Sequence, residues 1–323
     1  MRILLAGEGA FAKKHAAGLK NIAGVEIAAV VGGVADATEA FARENNIPVW
    51  TLDLDEGLAL PGIDAVILVT PTPLHAMQAI QVLEAGKHVE VEIPMADNLD
   101  DSRRIVEAQK TSGLIAMAGH TRRYNPGHQW IHKKINAGEL TLQHLVVETY
   151  FFRRSNLNAD GKPRSWTDHL LWHHACHTVD VFQYQTAEIA SEVNAIQGPI
   201  HPELGIAMDM NISMKVPSGA LCTLSLSFNN DGPFGTFFRY ICDNGTYIAR
   251  YDDLLDGHGN PIDLSGVDVV MNGIELQDRD FIDSIRAGRD PRASVASVLP
   301  TMVTLDRLQT VLTSSLRLSD NAG

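Results

Sequence analysis

Ile3-Leu4-Leu5-Ala6 is a short apolar run that leads straight into Gly7-Glu8-Gly9-Ala10-Phe11-Ala12, after which Phe11, His15, Ala16 and Leu19 recur at helical spacing. A strand that turns through glycines directly into a helix can be built in few ways. Gly7 permits the tight turn, Gly9 lets a pyrophosphate approach the backbone, and Ala12 lets the helix pack closely on the strand. The first N–H groups of such a helix lack intrahelical partners and lie at the positive end of its dipole, so they favour a phosphate. The pattern is weak by itself. Placed after a strand and at the head of a helix, it predicts a dinucleotide site formed by Gly7, Gly9, Ala10, Phe11 and Ala12.

Strand and helix go on alternating. Val25 to Val31 reads as a strand, and Asp36-Ala37-Thr38-Glu39 as a capping box opening a helix through about residue 44. Ala65-Val66-Ile67-Leu68-Val69 suits a parallel strand buried on both faces. Pro73 is placed to start a helix and Gly86 to stop it. His88 to Glu92, a helix from about Asp100 to Ser112 closed by Gly113, and Leu114 to Ala118 complete the series. Units of this length predict an α/β chain whose residues 1–120 form a doubly wound parallel Rossmann sheet.

Past Gly119 the texture changes. Leu145 to Phe152 is rich in β-branched and aromatic residues, a polar loop runs to Trp166, and a helix is expected from about Asp168 to Gln185. Ile206 to Phe228 reads as two strands around Pro217-Ser218-Gly219. Phe237 to Ile241 and Thr246 to Arg250 read as two more, with Asn244-Gly245 as the hairpin signal. Helical patterns follow over about Glu275 to Ala287 and Ser297 to Leu316. Residues 121–323 should therefore form an α+β domain with a large, mostly antiparallel sheet and helices on one face.

Bulk properties narrow the function. A length of 323 residues suits two domains. No apolar run is long enough to span a bilayer and no signal-peptide pattern follows Met1, so the protein is expected in the cytoplasm. Cys176, Cys222 and Cys242 form no CxxC pair and read as buried reduced thiols rather than a disulfide framework or a zinc site. A net charge of −13 argues against nucleic acid and anionic membranes as partners.

The cofactor choice turns on Val31-Gly32-Gly33-Val34. That segment has neither the acid that would take the adenosine ribose nor the arginine that would take a 2′-phosphate. Asp36, the nearest acid, is better placed as a helix N-cap. With no carboxylate evident there and bare backbone at Gly32 and Gly33, the reading leans to NADP, with NAD also accepted.

Trp172-His173-His174-Ala175-Cys176-His177-Thr178-Val179-Asp180 is the segment richest in chemistry. On a helix, Leu171, Ala175, Val179 and Phe182 form an apolar stripe, and His169, His173, His177 and Asp180 form a polar one roughly opposite. Three readings are open for the polar stripe: a solvated face, a metal site from histidines four apart, or general acid–base work. The metal reading lacks an HExxH pattern and a third ligand, so no metal is expected. Histidine titrates near neutral pH, and dehydrogenation needs a group to take the hydroxyl proton. Arg122-Arg123, Arg153-Arg154, Lys162 and Arg164 are basic clusters in an acidic chain. They suit a focused anion site, or surface charge, or cofactor phosphate.

With these residues in view, the chain resembles the glucose-fructose oxidoreductase and inositol dehydrogenase family over nearly its whole length. The marks are the early glycine turn, Thr70-Pro71-Thr72-Pro73-Leu74-His75, Gly86-Lys87-His88-Val89-Glu90-Val91-Glu92-Ile93-Pro94, Arg122-Arg123-Tyr124-Asn125-Pro126, and the helix ending His177-Thr178-Val179-Asp180. The segment from Asp280-Phe281-Ile282 to Gly288-Arg289-Asp290-Pro291 is also similar. The resemblance implies a nicotinamide-dependent oxidoreductase that dimerises through the open face of its second sheet. It adds Thr70, Pro71, Thr72, His75, Glu92, Ile93 and Arg122 to Gly32 and Gly33 as cofactor contacts.

Two departures stand out. The family usually has Glu-Lys-Pro where this chain has Glu92-Ile93-Pro94, and an aspartate where this chain has His173. The lysine that positions or deprotonates a hydroxyl is thus missing, and acid–base work falls to His173 and His177, with His174 beside them. These departures, with Tyr150-Phe151-Phe152-Arg153-Arg154 and Arg164-Ser165-Trp166-Thr167-Asp168-His169, resemble one branch of the family that takes a small dicarboxylate. That likeness implies substrate contacts from Arg123, Arg153, Arg154, Arg164, Trp166, His169 and Asp180. Oxidation of a sugar or cyclitol, and a non-catalytic nicotinamide-binding sensor, are the competing readings.

Overall fold

A computed structural model describes residues 1–157, 161, 163–164, 166–269 and 273–320, with side chains from 315 onward left aside. The chain divides into two compact units, Met1–Thr121 with Val270–Leu299, and Arg122–Val269 with Pro300–Gly323.

The first unit opens with β1 (Arg2–Ala6), α1 (Ala10–Leu19), β2 (Glu26–Val31), α2 (Ala35–Asn45), β3 (Val49–Thr51) and α3 (Leu54–Leu58). It continues with β4 (Ala65–Leu68), α4 (Thr72–Glu84), β5 (His88–Val91), α5 (Leu99–Ser112) and β6 (Ala116–Ala118). The strands form one parallel sheet in the order β3-β2-β1-β4-β5-β6, the doubly wound order of dinucleotide-binding folds. Ile3, Leu4 and Leu5 of β1 and Ala65 to Leu68 of β4 have no exposed surface. Strands buried on both faces read as unbroken apolar runs, as these do. The strand order reverses between β1 and β4, so ligands are expected at the carboxyl ends of those strands.

Differences from the sequence reading have local causes. The capping box at Asp36 does not form: Val34 occupies the N-cap, Asp36 lies in the first turn, and the Thr38 hydroxyl donates back to the Val34 carbonyl at 2.8 Å. The short β3 and α3 were not foreseen, because three and five residues carry no measurable periodicity.

The second unit runs through α6 (Pro126–Asn136), β7 (Leu142–Tyr150), a π-helical turn over Leu170–Ala175, and α7 (Cys176–Thr186). It continues with β8 (Glu192–Gln197), β9 (Asp209–Lys215), β10 (Leu221–Ser227), β11 (Gly235–Cys242), β12 (Gly245–Arg250) and β13 (Asp253–Asp256). These strands form a seven-stranded sheet in the order β13-β12-β11-β7-β10-β9-β8. All pairings are antiparallel except β7 with β10, where Leu145 lies beside Cys222. A parallel pair needs a crossover, and the π turn and α7 lie in the connection. Met210, Ile212, Met214, Cys222, Leu224 and Leu226 point to the buried face, where α6 and α7 pack, and Asn211, Ser213 and Thr223 alternate with them on the open one. The expected hairpin at Asn244-Gly245 shifts by one residue: Cys242 pairs with Gly245, which starts β12 at φ +137°.

The chain then returns to the first unit as α8 (Gly273–Ala287), and α9 (Val295–Asp320) ends it. Helix α8 packs against α1, which makes the first unit discontinuous in sequence.

Gly7 tests how strictly the opening turn is specified. Its φ is +120°, and an added Cβ would lie 2.7 Å from the Val69 carbonyl oxygen. Gly7→Ala should cost about 2–4 kcal/mol, because strain and overlap act together. Urea unfolding of the two proteins measures this, and a loss below about 0.5 kcal/mol would mean that the turn is not fixed in this form.

Candidate functional site

The nucleotide end is built on the turn from β1 to α1. Gly9 is the N-cap of α1, no side chain caps that helix, and a Cβ added at Gly9 would meet nothing within 4 Å. Unfilled N–H groups at the head of a helix with open space before them fit a pyrophosphate. Ala10 and Phe11 are exposed beside that space, whereas Ala12 is fully buried against the sheet. Gly32 is required at the end of β2, since a Cβ there would overlap the Thr38 hydroxyl at 1.9 Å.

One residue at this end escaped the sequence reading. The Glu8 carboxylate accepts the Gly33 N–H at 3.0 Å and the Val34 N–H at 3.2 Å. The expectation that no acid stands at this turn is therefore corrected. The acid comes from the glycine turn of β1 rather than from β2 itself, and a signal sought only at the end of β2 misses it.

At the ends of β4 and β5 the other cofactor candidates gather. The Thr70 hydroxyl donates to Gln78 at 2.5 Å, and Pro71 is the N-cap of α4, in which Thr72 is buried. His75 is buried and reaches the Pro94 carbonyl through Nδ1 and the Thr70 carbonyl through Nε2, 2.8 Å each, so it ties the two strand ends together. Burial lowers its pKa. Ile93, in the place of the family's lysine, is half-buried beside Glu92.

Glu92 belongs to a buried polar network. His15 lies between Asp278, with Nδ1 to Oδ1 at 2.8 Å, and Glu92, with Nε2 to Oε1 at 3.1 Å. The Gln277 amide donates to Glu92 at 3.1 Å and to Glu90 at 2.7 Å, and Glu92 also accepts the Ile93 N–H. Burial opposes a charge on His15, yet Asp278 and Glu92 together raise its pKa well above the ordinary imidazole value. Burial opposes charge on Glu92 as well, and the His15 contact overcomes it and lowers that pKa. Burial and then Asp278 raise Glu90 well above the carboxylate range, and burial raises Asp278. Among the described residues, His15, Glu90 and Asp278 are the one group of three such side chains close enough to share a cation. Both ring nitrogens of His15 already face carboxylates, so a shared proton and an imidazolium account for the group.

The histidine segment lies in the second unit. His169 precedes the helix, and His173 and His174 lie in the π-helical turn that replaces the first turns of the expected α-helix. The apolar stripe holds: Leu171, Ala175, Val179 and Phe182 are buried. His169, His173 and His177 are half-buried, but Asp180 is fully buried and leaves that face. His173 Nδ1 accepts the His169 backbone N–H at 3.2 Å, which places the proton of a neutral ring on Nε2. The Trp166 ring stacks on His173 with centroids 5.1 Å apart, and the His169 ring meets His173 edge-on at 5.2 Å.

The basic residues divide into two sets. Arg123 and Asp180 are buried and clasp each other through two bonds, Nε to Oδ2 at 2.9 Å and Nη2 to Oδ1 at 2.6 Å, with Thr301 also donating to Asp180. Arg153, Arg164 and His174 instead converge on Asp168. Arg153 engages both carboxylate oxygens, Arg164 Nη1 reaches Oδ1 at 2.8 Å, and His174 Nε2 reaches Oδ2 at 3.1 Å. Burial opposes the Asp168 charge, but His174 and Arg153 hold its pKa far below the carboxylate range. Among the described residues, Arg154 bonds only oxygen atoms of Arg153, Phe228 and Asn229. Arg122 donates to Asn125 at 3.1 Å, and burial lowers its pKa. Asp168 carried no signal except its place inside the motif, while Lys162 lies outside the described residues.

Residues 1–120 match the oxidoreductase family with an NAD-binding Rossmann fold, and residues 126–268 match the C-terminal domain of bacterial oxidoreductases. The chain belongs to the glucose-fructose oxidoreductase and inositol dehydrogenase family and is a nicotinamide-dependent dehydrogenase. It is 60% identical, over 97% of its length and 99% of the relative's, to 4-carboxy-2-hydroxymuconate-6-semialdehyde dehydrogenase of Sphingobium sp. (strain NBRC 103272 / SYK-6). Scyllo-inositol 2-dehydrogenase (NAD(+)) of Bacillus subtilis is 36% identical over 61% of this chain and 56% of its own. Among solved structures, a levoglucosan dehydrogenase in complex with NADH superposes with a TM-score of 0.85 at 19% identity, covering 97% of both chains. Aldose-aldose oxidoreductase of Caulobacter crescentus does so with 0.85 at 19% identity over 98% of each. These structures bear on the fold alone.

The buried network predicts a pH dependence. His15 and Glu90 both have raised pKa values in the folded state. The His15 contribution is complete below the pKa of free imidazole and is lost as pH climbs through the folded value. Folding also becomes costlier above the carboxylate range because Glu90 must keep its proton. Stability of the first unit should fall as pH rises above the carboxylate range and on through the ordinary imidazole range. Glu90→Gln should flatten that fall and raise the melting temperature at about pH 8 by roughly 2–4 °C. Thermal unfolding across pH reads this out, and an unaltered slope in the variant would mean that Glu90 is ionised.

Proposed function

We propose that the protein oxidises 4-carboxy-2-hydroxymuconate-6-semialdehyde, in its cyclic hemiacetal form, to 2-pyrone-4,6-dicarboxylate, a step of aromatic catabolism through protocatechuate 4,5-cleavage. The observation that carries this reading is Arg153 and Arg164 gathered around a single carboxylate beside the histidine segment, with Arg154 bonded to the Arg153 carbonyl. Such a surplus of guanidinium suits a small dicarboxylate, for which planar two-pronged donors are the best partners. A neutral sugar has no use for it. The 60% identity to the Sphingobium dehydrogenase supports the same substrate.

In the reaction the hemiacetal carbon loses hydride, its hydroxyl loses a proton, and the carbonyl of a lactone forms. The nicotinamide supplies the hydride acceptor when bound. The glycine turn, Gly32, Gly33, Thr70 to Thr72, His75, Glu92, Ile93 and Arg122 are its proposed contacts. His177 takes the hydroxyl proton. His173, with its ring proton on Nε2, donates a hydrogen bond to the reacting oxygen, and His174 completes the carboxylate site. A hemiacetal hydroxyl is more acidic than a sugar alcohol, so imidazole suffices where relatives use lysine. Arg123 and Asp180 hold the segment after the first unit against α7.

NADP is the proposed cofactor, with NAD accepted. The half-buried Glu8 must yield the Gly33 and Val34 N–H groups to a 2′-phosphate. Residues 1–120 serve the cofactor, and residues 121–323 serve the substrate and a homodimer contact. Ile196 and Leu221, 60% and 43% exposed on the sheet of the second unit, support that contact. Three buried cysteines with no disulfide among them suit the cytoplasm.

Adding the semialdehyde with NADP⁺ or NAD⁺ and following absorbance of the reduced nicotinamide tests the activity. Turnover is expected with both. His177→Ala should lower kcat by about 10²–10⁴-fold in protein that still binds cofactor, and an unchanged kcat would remove His177 from the mechanism. Glu8→Ala should raise kcat/KM for NADP⁺ relative to NAD⁺ by on the order of tenfold, since it removes a negative charge beside the 2′-phosphate. An unchanged ratio would place Glu8 away from that group.

A further inference from the structure

Asp168 lies at the centre of the basic cluster and is itself only 8% exposed. Its two oxygens receive Arg153 on both sides, Arg164 at 2.8 Å and His174 at 3.1 Å. Each partner is fixed by a ring as well. Arg153 lies over Phe228 at 4.5 Å, His174 meets Phe228 edge-on at 5.0 Å, and Arg164 lies over Trp166 at 5.8 Å. Trp166 in turn stacks on His173. One buried carboxylate therefore sets the position of two guanidinium groups and one imidazole, and through Trp166 it reaches a second imidazole.

The charge count gives this arrangement a purpose. Arg153, Arg154 and Arg164 carry three positive charges against the single negative charge of Asp168. Among the described residues, Asp209 is linked to Arg154 only through Asn229, which it holds at 2.6 Å while Asn229 accepts from Arg154. Two long arginine side chains without a common anchor would repel each other and sample many rotamers, and ordering them would weaken any ligand they bind. Anchored on a carboxylate, they are ordered in advance, and the positive charge left over is available to an external anion.

We propose that Asp168 is the positioning residue of the substrate-carboxylate site: it aligns Arg153 and Arg164 side by side and fixes the tautomer of His174, so that the pair receives one carboxylate of a planar dicarboxylate. This rests on the dicarboxylate reading above. The carboxylate accepts at His174 Nε2, which places the ring proton there and the lone pair on Nδ1. Asp168 acts on the substrate only through these three side chains.

A rival role for Asp168 is that of a stand-in, occupying the place of the substrate carboxylate and leaving when substrate arrives. The two roles predict opposite signs. Removing a competitor tightens binding, and removing an anchor loosens it.

The test uses the full-length protein, the semialdehyde as substrate, and pyridine-2,4-dicarboxylate and pyridine-2-carboxylate as inhibitor probes. Asp168→Asn keeps the side-chain shape and removes the charge. Expected are a rise in KM of about 10–100-fold with kcat changed less than about fivefold, and an equal loss of affinity for the dicarboxylate probe. The preference for two carboxylates over one should collapse, a change that general loosening of the fold would not produce. In an Arg153→Gln/Arg164→Gln background the same substitution should add nothing, because its effect runs through those residues. Arg164→Gln alone, on a more exposed arm, should show a milder loss of the same kind if Asp168→Asn folds poorly. Cofactor binding to the first unit, followed by nicotinamide fluorescence, serves as the control for folding. Unchanged or tighter probe binding by Asp168→Asn, or an undiminished effect in the double-arginine background, would overturn the positioning role. A wild-type protein that turns over the semialdehyde yet ignores the dicarboxylate probe would overturn it too. A wild-type protein that does neither would overturn the dicarboxylate reading itself.

Discussion

The imidazolium of His15, buried between Asp278 and Glu92, is the interaction on which the first unit depends. An ion with no exposed surface is costly to bury unless its partners are placed to answer it. Here the two partners come from distant parts of the chain, the end of β5 and α8, and meet the ring on α1. The same contact that keeps His15 charged keeps Glu92 ionised at the strand end where cofactor contacts are expected. Helix α1 is also the helix headed by the glycine turn. The orientation of α1 and the position of Glu92 are therefore coupled through one ring. Breaking such a group by removing one partner is far more damaging than replacing it whole.

The second unit uses the same logic at the opposite sign. There a buried carboxylate orders a surplus of cations. The π-helical turn over Leu170–Ala175 adds a residue to the helical register. It allows His174 to face Asp168 while His173 faces Trp166 and His169. The Arg123–Asp180 pair lies deeper, with both partners almost fully buried, and braces α7 rather than presenting charge.

Much of this was legible in the sequence, and what was not has physical reasons. The strands of the first sheet were readable because burial on both faces leaves unbroken apolar runs such as Ala65 to Val69. The β9–β10 pair was readable through its turn chemistry. The parallel pairing of β7 with β10 was not, because no residue marks which of several apolar strands will be neighbours. Glu8 was missed because an acid next to a glycine turn looks solvated until the fold brings Gly33 and Val34 to it. His15 was seen only as one apolar-face position of α1. Its partner Asp278 is 263 residues away, and one sequence holds no trace of that separation. Arg123 and Arg153 look alike as members of basic doublets, yet one is a core brace and the other part of the anion cluster. The difference is set by which carboxylate each one meets.

Because Asp278 and Gln277 belong to α8, the nucleotide-binding unit cannot be completed while the chain is being synthesised from its first 121 residues. A growing chain of that length carries His15, Glu90 and Glu92, with one carboxylate and one amide of the network still to come. The intervening second unit must leave the ribosome before those groups arrive. The protein thereby acquires an order of assembly: the second unit is synthesised, apart from its last helix, before the first unit can close.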